Sequence, residues 1–213
     1  MKQKFKYGEM YHVCNKSIAN YSIFQSSWNA QRFIETVDYY NHDSVWTSFS
    51  VALKQKNKYQ YENILFQKND ALIKILSYCI MPDHYHLLFK VTSEKLISKY
   101  ISDIENSYTR YFNLKHNRKG PLWQSRYRAV PITSNEQLLH VSRYIHLNPT
   151  TKGLVDFPEE WKYSSYKDII SSQSILDSLV EISIQDRKKY KKFVDDNLDY
   201  QKSLKRINKA LLD

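Results

Sequence analysis

Two histidines one residue apart, His84 and His86, sit in MPDHYHLLF (81–89), directly after the apolar run LIKILSYCI. If residues 84–91 form a strand, side chains alternate, so His84, His86 and Leu88 point to one face and Tyr85, Leu87, Phe89 and Val91 to the other. The second set reads as core, and the first presents two imidazoles side by side. Two neutral imidazoles on a rigid strand can share one divalent ion. For H-x-H alone, two polar residues on a half-exposed sheet face are the commoner arrangement, so the rest of the chain has to decide. A histidine-triad type nucleotide hydrolase would carry a third alternating histidine, and position 88 is leucine.

Further groups stand out later in the chain. In SNEQLLHVSRYIHLNP (134–149) helical spacing puts Leu138, Val141 and Ile145 on one stripe, with Gln137, Tyr144 and Asn148 along its margin. Tyr144 and Asn148 are four residues apart and project from one side of the helix end. A tyrosine beside a core stripe usually just packs there. KHNRKGPLWQSRYR (115–128) gathers cations around a Gly120-Pro121 turn, with Trp123, Gln124 and Tyr127 among them. Cations for phosphates beside flat rings for bases suit single-stranded or hairpin DNA. A solvated loop leading into a strand over 125–132 fits the same residues equally well.

Composition leans the same way. With 32 Lys and Arg against 22 Asp and Glu the net charge is +10, and 18 Tyr, 9 Phe and 4 Trp supply stacking surface. Biased genomes also produce Lys-, Asn- and Tyr-rich chains. An apolar fraction of 42% over 213 residues supports a globular core rather than disorder. Cys14 and Cys79 lie far apart in predicted strands and read as reduced core residues of a cytosolic protein. The N-terminal MKQKFKYGEM has no apolar signal core, and no stretch is long and apolar enough to span a membrane. The expected location is therefore cytoplasmic, at the nucleoid.

The elements that would position these groups can be read in order. MYHVCNKSI (10–18) is a strand, followed by a loop at Asn20. Ser26 or Ser27 caps a helix to about 41 with Trp28, Phe33, Ile34 and Val37 on its stripe. SVWTSFSVALKQ suggests a short helix, and KNKYQYENILFQKND an inserted connection. ALIKILSYCI (71–80) is a second strand, linked to the histidine strand through Pro82-Asp83 as a hairpin. Thr92 or Ser93 caps a helix to about 116 whose core stripe is Leu96, Ile97, Tyr100, Ile101, Ile104, Tyr108 and Tyr111. Ser134 opens the tyrosine helix, which is expected to stop near Asn148 because Pro149 disfavours the α conformation in its predecessor. A basic helical tail follows, with Leu198, Leu204, Ile207 and Leu211 as apolar anchors.

With these pieces in order, the sequence resembles the single-tyrosine HUH transposases, in particular the REP-associated tyrosine transposases and their insertion-sequence relatives. The resemblance covers roughly residues 8–166 and rests on MYHVCNKS, CIMPDHYHLLF, YTRYFN, GPLWQSRYR and RYIHLNPTTKGLV. It implies that His84-Tyr85-His86 is the paired-histidine element, that Tyr144 is the nucleophile, and that Asn148 is a third ligand to Mg or Mn. Two departures are Asp83, where the family more often has Asn, and a long 43–70 insertion.

The implied fold is α+β, a ferredoxin-like α/β sandwich with a central antiparallel sheet, plus a helical C-terminal extension. The order read from the residues alone (strand, helix, strand, strand, helix, strand, helix) agrees with it. The domains expected are an HUH single-tyrosine endonuclease over 1–166 and a basic extension over 167–213. The implied activity is metal-dependent cleavage and rejoining of single-stranded hairpin DNA through a 5′-phosphotyrosine. Lys119, Trp123, Arg126 and Arg128 are the candidate DNA contacts. A non-catalytic DNA-binding protein or repressor derived from such a transposase would keep the basic surface and need neither Tyr144 nor the metal. Monomer and homodimer both remain open.

Overall fold

The structure, a computed structural model, describes residues 4–42, 44–55, 64–65, 70–93, 95 and 97–200. Four strands, β1 (Met10–Lys16), β2 (Ile73–Ile80), β3 (His84–Val91) and β4 (Arg128–Ile132), form an antiparallel sheet in the order β2-β3-β1-β4. Helix α1 (Ser27–Tyr40) connects β1 to β2 and helix α3 (Ile97–Lys115) connects β3 to β4, each crossing a strand that lies between its two ends. This is the split βαβ arrangement of a ferredoxin-like sheet. The expected α+β class and the histidine strand 84–91 are both found.

Period-two alternation divides the sheet into two faces. Tyr11, Val13, Tyr85, Leu87 and Phe89 are buried on the face covered by α1 and α3, where Phe33 stacks within 4.9 Å of Tyr85 and 5.2 Å of Tyr108. On the opposite face lies α4 (Asn135–Thr151), while α5 (Tyr166–Ser171), α6 (Gln173–Ser178) and α7 (Arg187–Asp195) form a C-terminal layer whose α7 packs on α4. That face is buried at Leu88 and at His86, which is 5% exposed, and half-buried at His12, Cys14 and His84.

Local chemistry explains most boundaries. Ser26 caps α1 by accepting from the Asn29 N–H, and Ser134 caps α4 by accepting from Gln137. Trp28 departs from expectation and is 79% exposed. At 100° per residue it lies roughly 140° around the helix from Phe33, while Ala30, Phe33, Ile34 and Val37 share the buried side. Similarly, the buried side of α4 runs through Leu138, Ser142, Ile145 and His146, which leaves Val141 at its half-buried edge.

Pro149 does not stop α4, which continues to Thr151. The helix ends instead at Gly153, whose φ of +71° suits glycine. The Gly153 N–H donates to Thr150 and the Leu154 N–H to Pro149, the paired closure of a Schellman motif. This moves the stop one turn later and keeps Asn148 inside the helix.

The short helix expected from SVWTSFSVALKQ is α2 (Phe49–Lys54). Most of the insertion over 56–70, together with Leu96, Leu204, Ile207 and Leu211, lies outside the described residues. Residues 161–165 run along the free edge of β2: Ile80 N–H donates to Tyr163 O and Ser165 N–H to Tyr78 O. This covers an edge that would otherwise expose unpaired backbone.

Candidate active site

The site forms where the polar face of the sheet meets α4. On β3, His84 and His86 point to this face. On β1, His12, Cys14 and Lys16 do the same, because Cys14 is the cross-strand partner of His86 and alternation places the others beside it. The Tyr144 ring lies edge-on to both His86 (centroids 5.6 Å, planes at 80°) and His12 (6.4 Å, 74°). Tyr144 is 44% exposed, so its ring leans on the imidazoles while its side chain stays open to solvent.

Cys14, His84, His86 and Tyr144 line an open cleft of about 350 Å³ together with Asn148, Gln124 and the cations Lys16, Arg126, Arg128 and Lys152. The cations come from three separate elements: the end of β1, the run into β4, and the end of α4. The cleft is thus electropositive around a tyrosine and two histidines, which suits a phosphodiester substrate.

Three polar atoms on these residues are free of protein partners among the described residues. His84 Nδ1 is 2.6 Å from the Asp83 carboxylate, which leaves Nε2 as its free ligand atom. His86 Nδ1 lies 2.9 Å from His12 Nε2, while His86 Nε2 is buried and has no hydrogen-bond partner among the described residues. An orphaned buried nitrogen is costly unless something else satisfies it. The Asn148 side-chain amide donates to Tyr144 O at 3.1 Å, which leaves its oxygen uncommitted among the described residues, and Asn148 is only 5% exposed.

Burial pulls the His86 imidazole well below its ordinary value, with His12 and His84 adding to this. Burial also lowers His84 against the raising effect of Asp83, and burial with the Arg128 charge brings His12 down to about 4. All three imidazoles are therefore neutral near pH 7, the form that binds metal. Burial pushes the Asp83 carboxyl upward, but His84 and Lys16, whose Nζ is 3.3 Å away, outweigh this and hold it below the ordinary carboxylate range. Asp83, the departure from the family's usual Asn, is thus an ionised partner of His84.

Of the residues singled out in the sequence, His84, His86, Tyr144, Asn148, Arg126 and Arg128 come together in the cleft. Lys119 is exposed and does not line it. Trp123 packs on the other side of the sheet instead, 5.6 Å from Tyr85, and its indole N–H donates to Glu105 O. Tyr108, read as core from its helical spacing, is buried there too and donates its hydroxyl to Ile23 O.

Cys14 is a correction, because it lines the cleft rather than the core. His12, Lys16 and Lys152 were not singled out by sequence reasoning. The alternation H-x-C-x-K within MYHVCNKS was the available signal, since a strand with a polar set at every second residue carries it on one face.

Two networks hold these elements in place. Glu105 of α3 accepts from Asn15 Nδ2 and Tyr85 OH, both at 2.8 Å, and Asn15 also donates to Ser125 O, which ties the 121–127 loop to β1. On α4, buried His146 bridges Ser165 Oγ and Tyr190 OH, both at 2.9 Å, which fixes the tyrosine helix between the β2 edge and α7.

Comparisons with known proteins give the family. Residues 8–148 match the family described as "Transposase IS200 like". Among curated proteins, the chain is 29% identical over 98 residues to the "Putative REP-associated tyrosine transposase" of Haemophilus influenzae, covering 41% of this chain and 56% of that protein. It is 24% identical over 137 residues to the REP-associated tyrosine transposase of Escherichia coli, covering 60% of this chain and 79% of that one. The chain thus spans little more than half the length of the Haemophilus relative. A solved REP-associated tyrosine transposase bound to a REP hairpin superposes with a TM-score of 0.56 at 14% identity, covering 80% of this chain and 84% of that chain, which is a likeness of fold. No helix among the described residues is long and apolar enough to cross a membrane. With the family match spanning about two thirds of the sequence, the chain belongs to the IS200-like transposase family.

Proposed function

We propose that this protein cleaves and rejoins single-stranded, hairpin-bearing DNA, with Tyr144 as the nucleophile. The observation that carries the reading is the packing of a half-exposed tyrosine edge-on against His86, inside a cleft rimmed by Lys16, Arg126, Arg128 and Lys152. Phosphodiester cleavage needs an aligned nucleophile and neutralisation of the anionic phosphate, and the cleft offers both. The Tyr144 oxygen forms a bond to phosphorus as the bond from phosphorus to the 3′ oxygen breaks. The phenol sheds its proton and the departing 3′ oxygen takes one up. A 5′-phosphotyrosine and a free 3′-OH result, and attack by another 3′-OH reverses the step.

His84 Nε2, His86 Nε2 and the Asn148 amide oxygen would hold a divalent metal. Mg or Mn is the ion the family resemblance implies, although two nitrogens and one oxygen would also accept a zinc-class ion; the bound metal would polarise the phosphoryl oxygen. Asp83 fixes the His84 ring. Arg126 and Arg128 bind flanking phosphates, and Trp123 acts through packing.

Residues 1–166 carry the chemistry in this reading, and the segment from 167 on supports the tyrosine helix through the Tyr190 contact to His146. Because Tyr144 meets histidines of its own chain, a partner subunit is not needed to complete the site.

The test is incubation of the purified protein and Mn or Mg with labelled single-stranded hairpin DNA from the flanks of its own gene, followed by a denaturing gel and peptide mapping. A covalent adduct on Tyr144, absent in Tyr144→Phe, is the expected result. An adduct on another tyrosine would overturn the assignment, and tight binding without any adduct would favour a non-catalytic DNA-binding protein.

A further inference from the structure

Beneath Tyr144, three soft donors meet that the proposed chemistry does not use. The Nε2 of His12 faces the Nδ1 of His86 at 2.9 Å, and one ligand atom each from His12, Cys14 and His86 all lie within 4.8 Å of one another. The arrangement is built into the backbone. His12 and Cys14 alternate on one face of β1, and Cys14 is the register partner of His86 on β3. The Cys14 thiol is free and borders the cleft.

We infer that His12, Cys14 and His86 form a binding position for a thiophilic divalent ion of the zinc type. It is distinct from the Mg or Mn position and shares the His86 ring with it. Zinc takes nitrogen at about 2.0–2.1 Å and thiolate at about 2.3 Å, so tetrahedral donors stand roughly 3.3–3.6 Å apart. Reaching that geometry needs the two imidazoles to part by a few tenths of an ångström and the thiol to turn inward, both of which are side-chain rotations. The open cleft supplies the fourth position, for water.

The Cys14 thiolate sets this position apart from the other, because it favours zinc-class ions and is a poor ligand for Mg. Arg128, opposite Cys14 across β1 and β4, opposes a cation here, and deprotonation of the thiol on binding offsets one unit of charge.

A neutral imidazole has one N–H and one lone pair, so His86 would ligate through Nδ1 or through Nε2 but not through both, and occupancy at Nδ1 would withdraw the ligand that His86 Nε2 would give to the other metal. Zinc-class ions are therefore antagonists of Mg- or Mn-dependent cleavage. The binding claim stands without the phosphotyrosine reading, whereas the antagonism rests on it.

Cobalt(II) serves as the spectroscopic probe for the full chain, because thiolate coordination produces a charge-transfer absorption. The expected result is a saturable band, displaced by zinc, absent in Cys14→Ser and Cys14→Ala, kept in Cys79→Ser, and weakened in affinity by more than roughly tenfold in His12→Gln. Thermal melts of the metal-free variants show whether each has folded. No band in the wild type, a band that survives Cys14→Ser, or indifference to His12→Gln would overturn the site.

A second arm compares adduct formation under Mn with and without zinc. Loss of adduct in the wild type, with less loss in Cys14→Ser, supports antagonism, and equal sensitivity in both sinks it. A cobalt band that follows the expected pattern in a protein that never forms an adduct with any metal refutes the phosphotyrosine reading and leaves the binding site standing.

Discussion

The two faces of this one sheet are both packed by helices, but they are built from opposite chemistry. Toward α1 and α3 the strands present Tyr11, Val13, Tyr85, Leu87 and Phe89 to a cluster that includes Phe24, Phe33, Tyr108 and Trp123. Toward α4 they present His12, Cys14, Lys16, His84, His86, Lys74 and Lys90. The first face is cohesive because apolar area leaves water. On the second, several polar groups find partners, His84 with Asp83, and Lys74 and Lys90 with Glu181 of the C-terminal segment. Cohesion and chemistry are thus separated by a step of one residue along each strand.

One buried carboxyl on each side makes the contrast electrostatic. Burial raises the Glu105 carboxyl on the aromatic side, despite hydrogen bonds from Asn15 and Tyr85. On the polar side burial also pushes Glu181 upward, but a backbone N–H, Lys74 and Lys90 overcome it and hold the group below its ordinary value. A charge is disfavoured in one layer and required in the other.

The sharpest way to break the contrast is a pair of substitutions, one per face. Tyr144→Phe is expected to remove covalent adduct altogether while changing stability by no more than about 0.5 kcal/mol, since the hydroxyl belongs to a half-exposed ring. Phe33→Ala should do the reverse, costing about 3–5 kcal/mol in denaturant unfolding while the surviving folded molecules still form adduct. If both variants lost chemistry and stability together, the two faces would not be separable.

Next in size is the metal side. Asp83→Asn keeps a hydrogen-bonding partner for His84 but removes its charge, so the Mn concentration giving half-maximal adduct should rise by roughly tenfold or more. An unchanged Mn requirement would remove Asp83 from the site.

Smallest, and most diagnostic of the electrostatic difference, are the two carboxyl neutralisations. Glu181→Gln leaves two lysines without their carboxylate and is expected to cost about 2 kcal/mol at neutral pH, below the range for a fully buried pair because Lys90 is about one-third exposed. Glu181 is depressed in the folded state, so its contribution is present above the unfolded carboxyl pKa and fades as pH falls through the folded one. The deficit of Glu181→Gln should therefore shrink in acid.

Glu105 has the opposite sign. Its folded pKa is raised, so its contribution is full below the unfolded value and is lost as pH rises through the folded one. Glu105→Gln should gain about 1 kcal/mol at neutral pH and none in acid. Urea unfolding at several pH values checks both, and matching slopes for the two variants would refute the contrast.

Local patterns made much of this legible. The strand 84–91, the serine caps of α1 and α4, and the shared margin of Tyr144 and Asn148 all depend on neighbours within one helical turn or one strand repeat, which is the range a linear pattern reports. Errors came where distant packing overrode local preference. Pro149 is carried inside α4 because Gly153 and Leu154 close the helix one turn later. Trp28 sits on the solvent side despite its size, and Trp123 is claimed by the aromatic layer rather than by the cleft.

By itself the sequence determined the alternation that splits the strands into an apolar and a polar set, the helix that carries Tyr144, and the family. Only the tertiary structure decided that His12, Cys14 and Lys16 of β1 join His84 and His86, that the Tyr144 ring lies against the His86 imidazole, and that the C-terminal segment from Ser165 to Tyr190 holds the tyrosine helix down. Periodicity tells which way a side chain points, but the identity of what it meets is set by strand order and register between residues up to 122 apart in sequence, as Met10 and Ile132 are.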